Sequence, residues 1–183
     1  FYVGMGLSYL ASTPRVGKRI VHKKLLEAIK YARESVVLVS PYFVPTERLQ
    51  RAISKALSRG VQVRMLLPEA CDHRVLDIAS HAYTTLLVKK GAQVFFHPQM
   101  IHSKYFIIDG KWGMLGSANL DNMSLLNNYE HEIVGQNEYF VKVLSQNFEQ
   151  LVSGGRKFDL AKERTSFKDK IFGLLVRPIH RFL

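Results

Sequence analysis

His102-Ser103-Lys104-Tyr105-Phe106-Ile107-Ile108-Asp109-Gly110-Lys111-Trp112-Gly113-Met114-Leu115-Gly116-Ser117-Ala118-Asn119 holds two apolar runs joined by Asp-Gly-Lys. Asp-Gly between apolar runs is a hairpin signal, because both residues tolerate positive φ. The spacing predicts strands over Ser103–Ile108 and Trp112–Leu115. Alternate residues of a strand share a face, so His102 and Lys104 are expected to point the same way. An imidazole and an ammonium on one face suit a phosphodiester. The imidazole can attack phosphorus, and the ammonium can neutralise the non-bridging oxygens as charge develops. Gly116 leaves room for close approach, while the Ser117 hydroxyl and the Asn119 amide offer further polar contacts to phosphate. Taken alone, Asp109-Gly110 is turn chemistry.

The pattern upstream alternates between helix and strand. Leu25, Leu26, Ile29 and Ala32 recur at helical spacing within Ile20–Arg33. Ser35–Ser40 is a β-branched run that reads as a buried strand. Thr46 is a suitable N-cap for a helix running to Gly60. Val61–Leu67 is the next strand, a helix starts at Asp72 or His73 and closes at Gly91, and Ala92–Phe96 is a third strand. Downstream of the hairpin, Tyr129–Val134 reads as a strand and Glu138–Leu151 as a helix that Ser153-Gly154-Gly155 breaks. This order predicts an α/β domain whose mixed central sheet is flanked by helices on both faces. Residues 1–155 form the expected domain, and 156–183 an amphipathic basic tail.

Composition narrows the class. Over 183 residues, 47% hydrophobic and 22% charged residues suit one folded domain, and no apolar run approaches a membrane span. The balance of 26 Lys and Arg against 15 Asp and Glu gives +11. A surplus of this size favours polyanionic partners, either anionic lipid headgroups or nucleic acid phosphates. Cys71 is the sole cysteine, and no His/Cys cluster has metal-ligand spacing. The chain starts on Phe1, and Phe1–Leu10 is too short for a signal peptide.

The spacing H-x-K-x4-D-x6-G-S-x-N, complete through Asn119, resembles the HKD motif of the phospholipase D superfamily. Other stretches resemble the second half of bacterial cardiolipin synthases: Ser40-Pro41-Tyr42-Phe43-Val44-Pro45, Arg59–Arg64, Leu66-Leu67-Pro68, Ala79–Tyr83 and Asn119-Leu120-Asp121. Asn128-Tyr129-Glu130 is similar to the family's downstream Asn-x-Glu. One departure stands out: Met123-Ser124 replaces the usual Arg-Ser pair.

The resemblance implies a phospholipase D-like fold and a phosphatidyltransferase. Such an enzyme joins two phosphatidylglycerols through a phosphohistidine and releases glycerol. His102, Lys104 and Asp109 are the implied catalytic set, with His102 as nucleophile or acid and Asp109 orienting or supporting the motif. Ser117 and Asn119 would bind phosphate, and Glu130 would hydrogen-bond a histidine. No cofactor and no metal are implied.

Two such motifs build one active site in this family. A second half is therefore expected from a preceding segment or a homodimer partner. The implied partner is an anionic phospholipid membrane surface, met peripherally on the cytoplasmic face, with any transmembrane anchor outside this chain. Phe167, Ile171, Leu174 and Leu175, with Lys168, Lys170, Arg177 and Arg181 around them, fit such a surface. Alternatives are a dimeric nuclease acting on DNA, a phospholipase D that hydrolyses phospholipids, and a non-catalytic half.

Overall fold

The computed structural model describes residues 2–14, 19–71 and 74–162. Two N-terminal strands, β1 (Tyr2–Gly4) and β2 (Leu7–Ser12), precede helix α1 (Ile20–Tyr31). Helix α1 forms because Val21, His22, Leu25 and Ile29 recur on one side, and all four are buried. Strand β3 (Ser35–Val39) and the short β4 (Phe43–Val44) follow. Helix α2 (Glu47–Ser58) starts where the Thr46 side chain accepts a hydrogen bond from the Leu49 amide at 3.1 Å. It stops before Gly60, whose φ is +84°.

Strand β5 (Gln62–Pro68), helix α3 (Arg74–Val88) and strand β6 (Gln93–His97) complete a parallel run with β3. Strands β7 (Tyr105–Ile108) and β8 (Trp112–Gly116) form the hairpin. Asp109 and Gly110 both have positive φ, +53° and +60°, as a type I′ turn requires. The short β9 (Leu120–Asp121), a π-helical turn (Met123–Asn127), β10 (Glu130–Gly135), α4 (Glu138–Ser153) and β11 (Arg156–Lys157) follow.

The main sheet runs β1-β2-β10-β8-β7-β3-β5-β6-β11, with β4 and β9 paired separately. It is mixed: β3, β5 and β6 are parallel, and the rest are antiparallel to their neighbours. Strand periodicity divides the core between its faces. Phe106 and Ile108 of β7 pack with Leu25, Ile29 and Ile53 of α1 and α2, while Tyr105 and Ile107 pack with Val141, Leu144 and Phe148 of α4. Helices therefore cover both faces, as expected from the sequence.

Two boundaries differ from the sequence reading. Strand β7 starts at Tyr105, so His102 and Ser103 lie in the loop before it. The sheet also continues past Gly155: Arg156 and Lys157 pair with Phe96 and Phe95, and Phe158 is buried. The globular part thus reaches into the stretch expected to be tail. The amphipathic residues Phe167–Arg181 lie outside the described residues.

Candidate active site

Lys104 is the pivot of the motif. It sits one residue before β7 and is buried at 7% exposure, whereas His102 is exposed. In the irregular stretch before β7, Lys104 Nζ lies 2.9 Å from His102 Nδ1, 3.1 Å from Nε2 and 2.9 Å from the His102 carbonyl. The shared orientation expected for His102 and Lys104 is present, though a loop rather than strand alternation produces it. The Lys104 carbonyl accepts from the Gly116 amide at 3.1 Å, which joins the start of β7 to the end of β8. Burial pulls the Lys104 ammonium below its ordinary range, while the charges of Glu130, Asp121 and Glu132 oppose that shift.

The corner after β8 carries the next group. Ser117 donates its hydroxyl to Glu130 Oε2 and accepts at Oγ from the His131 amide at 3.0 Å. Glu130 therefore holds Ser117; a histidine partner was expected for it. Asn119 Nδ2 donates to Ser124 Oγ at 3.2 Å, and Asn119 Oδ1 is buried without a partner among the described residues. The Leu120 amide donates to Ser40 Oγ at 3.0 Å, tying the corner to the end of β3. Asp121 accepts from the Ser124 amide at 2.7 Å and so anchors the π-helical turn; burial raises its carboxyl despite that bond. Met123 begins the turn on the surface at 41% exposure and Ser124 points inward, so the departure from Arg-Ser falls on an outward position.

Asp109 lies elsewhere. Five residues of extended chain put it on the order of 15 Å from Lys104, at the opposite end of β7. Its Oδ1 accepts from the Arg33, Glu34 and Ser35 amides at 3.1, 2.8 and 2.9 Å, and its own amide donates to the Ser35 carbonyl at 2.8 Å. Burial raises its carboxyl, but the three amides and Lys111 outweigh that and hold it low. This geometry corrects the grouping of Asp109 with His102 and Lys104. Asp109 fastens the hairpin to the α1–β3 junction and does not share their site.

Glu132 was not singled out from the sequence. It is 1% exposed, and its Oε1 accepts from the Ala118 amide at 2.8 Å. Gly116 faces it across the β8–β10 pair. A Cβ on Gly116 would lie 2.0 Å from the His131 carbonyl and 2.5 Å from Glu132 Oε2. The room that Gly116 leaves is thus taken by β10. Period-two reading of Glu130-His131-Glu132-Ile133-Val134 carries the signal, since it puts two acids in the buried register of a strand. Among the described residues, no three His, Cys, Asp or Glu side chains converge as a metal cradle.

His102, Lys104, Ser117 and Glu130 thus gather at the ends of β7, β8 and β10, with Asn119 in the adjoining corner. Over 137 residues the chain is 38% identical to cardiolipin synthase A of Proteus mirabilis, covering 74% of this chain and 28% of that protein. It spans less than a third of the length of the curated relatives it matches. In fold it is similar to Nuc of Salmonella typhimurium, a phospholipase D family member, with a TM-score of 0.69 and 22% identity over 83% of this chain and 98% of that one. It is similar also to a phosphatidylserine synthase of Haemophilus influenzae Rd KW20, with a TM-score of 0.76 and 14% identity over 96% of this chain and 45% of that one. These two likenesses are of fold. The family model described as cardiolipin synthase, PLD-like domain, matches residues 25–152, and the chain belongs to that family.

Proposed function

We propose that this chain is one half of a phosphatidyltransferase of the cardiolipin synthase type. The contact of Lys104 Nζ with the exposed His102 ring carries the reading. It sets an ammonium beside an exposed histidine, where an anionic diester would meet both. In the reaction, a histidine nitrogen attacks the phosphorus of one phosphatidylglycerol. A P–N bond forms, the P–O bond to glycerol breaks, and a general acid protonates the departing alkoxide. The hydroxyl of a second phosphatidylglycerol then attacks phosphorus, giving its proton to the group that acted as the acid, as the P–O bond forms and the P–N bond breaks. His102 is one of the two imidazoles, either the nucleophile or the acid. Lys104, Ser117 and Asn119 face the phosphate, and Glu130 keeps Ser117 in place. The second imidazole comes from a second half, in the same polypeptide or in a partner copy.

An anionic membrane surface supplies the lipid, and the +11 charge favours that encounter. No helix among the described residues is long and apolar enough to cross a membrane. The test is to incubate the longest form of the protein with phosphatidylglycerol vesicles and, in parallel, with plasmid DNA. Cardiolipin with intact DNA supports the reading. Cut DNA without cardiolipin replaces it with a nuclease.

A further inference from the structure

The buried acid Glu132 has no place in the steps above, yet it lies directly behind the corner that carries Ser117 and Asn119. Oε1 accepts from the Ala118 amide and the Ser117 amide also lies against the carboxyl, while Oε2 is buried without a partner among the described residues. Glu130 faces the same side two residues away on β10, Lys104 stands at the start of β7, and Asp121 is on β9. A carboxylate in that position would be buried with one oxygen unpaired, beside the charge of Glu130.

We propose that Glu132 is a positioning residue that works as the neutral acid. Its carbonyl oxygen holds the Gly116–Ala118 corner through the Ala118 amide, and its lack of charge leaves the Lys104 ammonium free to meet the substrate phosphate. When Glu132 ionises, a further negative charge faces Lys104 and the pull on an anionic diester weakens. Burial pushes the Glu132 carboxyl up to about 7, helped by the charge of Glu130 and opposed by the Ala118 and Ser117 amides and Lys104. The switch between the two forms therefore falls close to neutrality. The inference rests on the phosphodiester reading of the site and is independent of which lipid is used.

The probe is diethyl phosphate, which keeps a single negative charge throughout the range. Its dissociation constant is followed by phosphorus NMR from one unit below to one unit above about 7. The parent, in its longest form, is compared with Glu132→Gln, which keeps an accepting oxygen for the Ala118 amide without the ionisation. The histidines are present in both proteins, so their contribution cancels in the comparison. The parent should lose on the order of tenfold more affinity than Glu132→Gln as the pH rises. Glu132→Leu, which cannot accept the amide, should bind more weakly than Glu132→Gln at every pH. Identical pH dependence in parent and Glu132→Gln overturns the inference while leaving the site intact. Absence of diester binding by the parent at any pH overturns the site reading beneath it.

Discussion

Lys104 shows how one side chain can serve two demands. Its stem is buried at the start of β7, while its ammonium reaches back to the exposed His102 ring. Burying a cation is costly, and Lys104 offsets part of the cost with the charges of Glu130 and Asp121. Replacing it with Met keeps the packing and removes the charge. Lys104→Met should lower the turnover of phosphatidylglycerol by about 100- to 1,000-fold. The thermal midpoint should stay level or rise, as read by circular dichroism. A variant with unimpaired turnover would remove Lys104 from the account. The residue types at this site were legible because four elements keep a fixed spacing. The partners were not: that Glu130 takes Ser117, and that Gly116 makes room for Glu132, depends on the β8–β10 register, which no single stretch of sequence encodes.

The hairpin shows the same division among elements. Asp109-Gly110 was legible as a turn, and the turn is present. Its second task, to collect three amides from the α1–β3 junction, follows from strand order and joins residues some 75 positions apart in the chain. Asp109→Ala should therefore cost about 2 kcal/mol of stability, read as a shift in the urea midpoint. Turnover per folded molecule should be little changed. A large loss of turnover at unchanged stability would return Asp109 to the chemistry. Helices α1, α2 and α4 and the long strands were legible from periodicity to within a few residues. The short β4, β9 and β11 were not, because two-residue strands carry no period and exist only through their partners.

At the scale of the molecule, the buried His22 and Glu132 pull stability in opposite directions. His22 is buried at the α1–α2 contact, with Nε2 3.0 Å from the Thr46 hydroxyl. Burial, with the charges of Arg48 and Arg19, lowers it to about 4. The unfolded chain binds that proton more readily, so stability falls as the pH drops from about 6.5 towards about 4. Glu132 behaves in the reverse sense. Its folded value of about 7 lies above the ordinary 4.5, so its contribution is full below 4.5 and is lost as the pH rises through about 7. Between about 4.5 and 6.5 the two slopes oppose each other. Glu132→Gln removes one of them. Its unfolding free energy should rise with pH by about 2–3 kcal/mol over that window, against a much flatter parent. Urea titrations at both ends of the window check this, and equal slopes in the two proteins would contradict the opposition.

The assignment of His102 as a reacting imidazole is tested most directly in the longest form of the protein. The parent, His102→Ala and Asp109→Ala are each supplied with phosphatidylglycerol vesicles, and the products are read by mass spectrometry. The account predicts cardiolipin from the parent and from the folded fraction of Asp109→Ala, and none from His102→Ala at an unchanged melting temperature. Cardiolipin formed by His102→Ala at the parent's rate would contradict it.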